Sequence, residues 1–154
     1  MTLPLRNQRI VITRSPEQAA ELAIPLAKLG ATPIYFPAIT FAPLDALELD
    51  EQLTRLNQYD WLIFTSGNAV RFFLQRLDRG NWRLTERLKV AAVGSATVKK
   101  LVERGIAVDF LPEQFTGEQL ALGLGDIANK KILLPRAKIG RPEIVNLLKK
   151  RRGW

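Results

Sequence analysis

The sequence predicts an α/β fold, a parallel sheet with helices on both faces. Three observations carry this. Short β-branched or apolar runs alternate with amphipathic helical patterns along the whole chain. The connections between them are short, as in β-α-β units. One run, Trp61-Leu62-Ile63-Phe64, is apolar throughout, as expected of a central parallel strand buried on both faces.

The elements follow in order. Arg9-Ile10-Val11-Ile12-Thr13 reads as a first strand. Ser15-Pro16-Glu17-Gln18 reads as a helix start, with Ser15 as cap, Pro16 at the first helical position and Gln18 completing a capping box. Leu22, Leu26 and Leu29 form the expected inner stripe, Pro25 should kink the helix, and Gly30 ends it. Thr32 to Phe36 is a second strand, with Pro33 arguing for an edge position. Pro37 to Pro43 is extended and linker-like. A helix is expected near Ala46–Leu56, with Leu49, Leu53 and Leu56 on one face and Asp45, Asp50 and Glu51 near its start.

After the apolar strand, Thr65-Ser66-Gly67-Asn68 is a turn, and the next helix carries Val70, Phe73, Leu74 and Leu77 on its inner stripe. Val90 to Val93 is a strand broken by Gly94. Ser95 is expected to cap a helix with Val98, Leu101 and Val102 inward and Gly105 as its stop. Ala107 to Phe110 is a further strand. Thr116-Gly117-Glu118-Gln119 opens another helix, Lys131 to Leu134 is a strand, and Pro142 starts the last helix. That helix ends in Lys149-Lys150-Arg151-Arg152, which complements its dipole and caps it before Gly153.

Composition narrows the chemistry. The 154 residues contain neither cysteine nor histidine. Disulfides, thiolate catalysis and Cys-type zinc sites are thereby excluded, as is the most common general base. No metal site is indicated, and a reducing cytoplasm is the default location. No apolar run is long enough to span a membrane, and the N-terminus lacks a secretory signal pattern. The net charge of +8 points to an anionic partner. Neither a G-x-G-x-x-G fingerprint nor a phosphate loop of the G-x-x-x-x-G-K-[ST] type is present.

In an open parallel sheet, ligands bind beyond the carboxyl ends of the strands. Those ends carry Thr13-Arg14, Thr65 to Asn68, Gly94 to Thr97, Phe115 to Gly117 and Pro135-Arg136. Each turn is small or hydroxyl-bearing and feeds a helix N-terminus, where free amides and the dipole favour anions. The same hydroxyls can serve simply as helix caps. Arg14 and Arg136 are equally compatible with solvated surface. Phe72, Phe73 and Trp61 read as core. No catalytic pair of carboxylates is evident, and no catalytic residue is assigned.

Several blocks resemble uroporphyrinogen-III synthases. They are Val11-Ile12-Thr13-Arg14, Leu29-Gly30-Ala31 with Pro37-Ala38-Ile39, and the longest, Tyr59 to Val70. Ala92 to Thr97, Phe115 to Leu120 and Ile132 to Arg136 follow in the family's order. The resemblance implies two α/β domains joined by a two-stranded linker, with the active site in the cleft between them. It implies a cyclising hydro-lyase that converts hydroxymethylbilane to uroporphyrinogen III, with loss of water and inversion of ring D, and without a cofactor. The substrate is a linear tetrapyrrole with eight carboxylates. Carried over by matching motif, the substrate-binding candidates are Thr13, Arg14, Ser66, Asn68, Ala69, Gly94, Thr97 and Arg136.

The same resemblance sets the domain expectation. Residues 1–36 form an incomplete first α/β domain, 37–43 a linker, and 44–154 a flavodoxin-like second domain without its return strand. Family members run well past Trp154, and their cleft tyrosine has no counterpart here. The chain therefore reads as a fragment, with little or no activity alone and a capacity for self-association through its first β-α-β unit. The competing readings are a non-catalytic flavodoxin-like domain that binds an anion or a partner, and a nucleic-acid binder. Neither nucleic acid nor membrane is the expected partner.

Overall fold

The computed structural model describes residues 3–42, 47–140 and 142–153. Pro43, Asp45 and Ala46, where the linker was expected to end and the next helix to begin, lie outside the described residues, as does Trp154. The chain divides into two compact units, Met1–Leu44 and Asp45–Trp154.

The first unit is a single β-α-β crossover. Strand β1 (Arg9–Ile12) pairs in parallel with β2 (Thr32–Tyr35), with Arg9 opposite Thr32 and Ile12 opposite Tyr35. Helix α1 (Pro16–Lys28) covers one face of this sheet. Its buried stripe is Ala19 and Ala23 against Ile12, with Leu26 beside them. The expected Leu22 and Leu29 are 40% and 43% exposed instead. Small side chains at the inner positions let the helix seat closely on a short sheet, which turns the flanking leucines outward. Pro25 sits in the helix's last turns, and α1 continues past it to Lys28.

The end of α1 is set by Gly30, at φ +96°. Its amide donates to the Ala27 carbonyl at 2.9 Å, and the Ala31 amide to that of Leu26 at 3.1 Å. This pairing is a Schellman stop. A Cβ on residue 30 would stand 2.8 Å from Leu3 Cβ and 3.2 Å from Arg6 Cα, so glycine is also required by the close approach of the N-terminal turn.

The second unit has three layers. After α2 (Leu47–Leu53) and a short 3-10 turn (Leu56–Gln58) come β3 (Trp61–Phe64), α3 (Gly67–Arg79), β4 (Lys89–Ala92), α4 (Ser95–Val102), α5 (Gly117–Gly123), β5 (Ile132–Leu133) and α6 (Glu143–Arg152). All strand pairings are parallel, in the order β4-β3-β5. Phe110 adds a single parallel bridge to Ala91 on the outer side of β4.

Every residue of β3 is buried, and its side chains alternate between two cores. Leu62 and Phe64, with Val90 and Ala92 of β4, face α2, α3 and α4, where Val70, Phe73, Leu74, Leu77 and Leu101 pack. Trp61, Ile63 and Ala91 face α5 and α6, meeting Leu120, Leu124, Ile127, Ile144 and Leu148. Phe64 and Phe73 meet edge to face, with ring centroids 5.3 Å apart.

The inner stripe of α3 is the one the sequence predicts. That of α4 differs: Thr97 and Leu101 point inward, while Val102 is 59% exposed. Of the aromatic residues assigned to the core, Trp61 and Phe73 are buried, and Phe72 is half-buried under the Arg71 guanidinium at 4.4 Å. The expected strand Ala107–Phe110 is reduced to one bridge. The Asp109 carboxylate accepts the Val90 amide at 2.7 Å, which takes a β4 donor out of a regular ladder. The basic run fills the last turn of α6 before Gly153, as expected. Arg151 in addition reaches across to α5, donating to the Gly125 carbonyl at 2.7 Å, to that of Leu122 at 3.1 Å, and to that of Ala121.

Asp60 ties the amino ends of the strands together. Its carboxylate accepts the Lys131 amide at 2.9 Å and lies 3.3 Å from Arg87 and 3.7 Å from Lys130. Its own carbonyl accepts the Lys89 amide at 3.0 Å. The bond from the Lys131 amide, helped by the two cations, holds the carboxyl below its ordinary pKa. A depressed carboxyl adds stability above its unfolded pKa and loses it as pH falls through the folded value. Asp60→Ala should therefore cost about 1–3 kcal/mol at neutral pH. Urea unfolding should show the gap between variant and parent closing below about pH 4.

Candidate functional site

In the second unit, the carboxyl ends of β3, β4 and β5 lie along one edge of the sheet, because all pairings are parallel. The chain leaves β3 through α3 to reach β4 on one side, and returns later through α5 to reach β5 on the other. The strand order therefore reverses at β3. In open α/β sheets, ligands bind beyond the strand ends at such a switch point. The segments that follow the strands there are the turn after β3, Thr65 to Asn68, and Pro135-Arg136 after β5.

The turn after β3 is built by capping. Ser66 is extended, at φ −158° and ψ 152°, and its Oγ accepts the Ala69 amide at 3.2 Å. The Val70 amide donates to the Ser66 carbonyl at 3.2 Å. The Ala69 amide is thus committed to the cap. The amides of Gly67 and Asn68 have no acceptor among the described residues, so they are the donors left for an anion.

Arg136 is half-buried and has no carboxylate partner among the described residues. Its guanidinium folds over Gly140. A Cβ there would come 2.8 Å from Cζ and Nε, so the glycine makes room for the arginine. One strand further along, Gly94 precedes α4 at φ +83°, and its carbonyl accepts the Thr97 and Val98 amides at 3.1 and 3.2 Å. Thr97 is 4% exposed and turned into the unit. Phe115 lies over Gly94, with its Cβ and Cγ each 4.0 Å from where a Gly94 Cβ would be.

Thr13 and Arg14 belong to the first unit. Thr13 is exposed at the end of β1, and its carbonyl accepts the Ala38 amide at 3.1 Å. Arg14 pairs with Glu21 at 3.8 Å, an exposed and weak ion pair. Of the candidates, then, Ser66, Asn68, Ala69 and Arg136 gather at the switch point, and Gly94 and Thr97 sit one strand along.

The four expected serine and threonine caps divide evenly. Ser66 and Thr116 cap, Thr116 accepting the Gln119 amide at 3.1 Å. Ser15 is fully buried, and its Oγ has no partner among the described residues. Ser95 is the first residue of α4, and Gly94 holds the cap position. Sequence reasoning assigned no role to Lys100, whose side chain lies against Gly67. The available signal was its spacing three residues after Thr97, which places both on neighbouring positions of one helix face.

Among the described residues, no group of three or more acidic side chains could hold a metal ion. No helix among them is long and apolar enough to cross a membrane. The arrangement suits anion binding by backbone amides and a guanidinium at the edge of a parallel α/β sheet.

Comparison with known proteins gives this class its family. The sequence profile described as Uroporphyrinogen-III synthase HemD matches residues 20–153, and the chain belongs to the uroporphyrinogen-III synthase family. It is 35% identical over 154 residues to the porphyrin biosynthesis protein HemD of Ruminiclostridium josui, covering 97% of this chain and 31% of that protein. It is 32% identical to the uroporphyrinogen-III synthase of Synechococcus elongatus, covering 91% of this chain and 54% of that protein. A solved structure of a uroporphyrinogen III synthase mutant from Thermus thermophilus has the same fold, with a TM-score of 0.67 at 21% identity. That match covers 94% of this chain and 57% of the other. The chain thus spans from about a third to somewhat over half of the relatives' lengths.

The capping geometry makes a prediction. Ser66→Ala should lower stability by about 0.5–2 kcal/mol, because it orphans the Ala69 amide. Ser95→Ala, which removes no cap bond, should stay within about 0.5 kcal/mol of the parent in the same denaturation series.

Proposed function

We propose that the protein to which these residues belong is a uroporphyrinogen-III synthase, a cyclising hydro-lyase that closes hydroxymethylbilane to uroporphyrinogen III. The observation that carries this reading is family membership in a chain whose strand order reverses at β3 and whose Gly67 and Asn68 amides have no acceptor among the described residues. In this reading the free amides of Gly67 and Asn68 and the Arg136 guanidinium hold carboxylates of the substrate. Ser66 shapes the turn, and Ala69, Gly94 and Thr97 continue the same edge. Thr13 and Arg14, in the first unit, are further substrate-binding candidates of this reading. The +8 net charge of the chain favours capture of a substrate with eight carboxylates.

The chemistry asks little of side-chain acids. The hydroxyl of the hydroxymethyl group takes up a proton and leaves as water. The electron-poor methylene that stays on its ring is attacked by a ring D carbon, and the proton lost from the tetrapyrrole on closure balances the one taken up. The isomer is decided by which carbon attacks, so the protein's contribution is to hold the chain of rings in one geometry. Several carboxylate contacts along one rigid sheet edge suit that task. A polycarboxylate of this kind does not cross membranes unaided, and we place the reaction in the cytoplasm, where the substrate is made.

The test is to generate hydroxymethylbilane in situ with the full-length protein to which these residues belong, oxidise the products, and separate type I from type III uroporphyrin. The full-length protein should divert product to type III, whereas the 154-residue chain alone should leave type I, the spontaneous product. Arg136→Ala in the full-length protein should reduce type III formation about tenfold. If the full-length protein yields only type I, the reading is wrong.

A further inference from the structure

We propose that Lys100 is a further substrate-binding residue, its ammonium supplying the cation for a carboxylate held at the turn between β3 and α3. The proposal rests on the functional reading above and adds a residue that the matching motifs did not bring.

Lys100 lies on α4, yet its side chain crosses to the start of α3. A Cβ built on Gly67 would stand 2.9 Å from Lys100 Cδ, 3.1 Å from Cε and 3.4 Å from Nζ. The Lys100 side chain thus occupies the space that a Cβ on residue 67 would take. Lys100 is half-buried, and among the described residues its Nζ has no carboxylate and no hydrogen-bond acceptor. Its neighbour Lys99 behaves as a surface lysine, 77% exposed and 3.9 Å from Glu103.

The placement runs against the usual electrostatics. Cations are favoured at helix C-termini, and the N-terminus of α3 carries the positive end of its dipole. Here the Lys100 ammonium is set beside that end, with no carboxylate against it among the described residues. A cation beside a like partial charge is unfavourable in the chain alone. An anion seated between Nζ and the turn would reverse that balance, since both groups would then attract it. A surface lysine covering apolar area with its stem would not need its ammonium there.

Two probes test this with the 154-residue chain. Uroporphyrin III, an octacarboxylate, is titrated by fluorescence. Tricarballylate, a small tricarboxylate, is followed through the amide resonances of residues 66 to 70. Lys100→Met keeps most of the apolar stem and removes the charge, whereas Lys100→Arg keeps a charge. Binding of both probes should weaken about fivefold or more in Lys100→Met and recover in Lys100→Arg, with the urea midpoint unchanged. If tricarballylate binds at the turn and depends on Lys100 while uroporphyrin III does not bind, the carboxylate subsite stands and the tetrapyrrole reading is overturned. If Lys100→Met binds whichever probe is bound as tightly as the parent, Lys100 has no such role. If neither probe binds the parent chain, the Lys100 proposal is overturned, and the functional reading rests on the isomer assay.

Discussion

A strand buried on both faces must have a helical layer on each side, and β3 imposes that condition on everything around it. Leu62 and Phe64 point one way and Trp61 and Ile63 the other, so no single-sided arrangement could bury all four. The chain must supply α3 and α4 for one face and α5 and α6 for the other. Because parallel strands need crossovers, it can do so only by leaving β3 in both directions. The reversal of strand order at β3 follows from covering one apolar strand twice.

The two ends of that strand then serve different purposes. At the amino end, Asp60 binds the Lys131 and Lys89 segments and is flanked by Arg87 and Lys130, so the charges there are spent on holding three strands in register. At the carboxyl end, donors are left over. Ser66 satisfies one amide of the α3 turn and leaves two, and Arg136 rests over a glycine without a carboxylate. The charges that hold the strands and the donors left free thereby stand at opposite edges of one sheet.

How much of this could be read in advance depended on how strongly each pattern was written. The α3 stripe was legible because Val70, Phe73, Leu74 and Leu77 are large, apolar and correctly spaced. The α1 stripe was misread because alanine at the inner positions looks like a helix former rather than a contact, while the leucines beside it look like core. Ser15 satisfies the sequence signature of a cap, but its hydroxyl is buried where the cap geometry is not met. The strand expected at Ala107–Phe110 has adequate propensity and is interrupted by Asp109, whose short carboxylate competes for a backbone donor. The candidate residues near β3 and β5 were legible as strand-end turns. That Ala69's amide is already taken, and that Arg14 is paired, were not.

By itself the sequence determined the α/β class, the positions of nearly all strands and helices, the absence of cysteine and histidine chemistry, and the likeness of its motif blocks to one family. Those are properties of local spacing and composition, which need no knowledge of what lies across the molecule. The tertiary structure alone decided the strand order, the reach of Arg151 to the end of α5, and the meeting of Lys100 with Gly67. Each is a contact between residues about thirty or more apart in the chain, or a choice among orders that the same segments could adopt. Such contacts are fixed by the simultaneous burial of several apolar faces, an energy that no single segment carries.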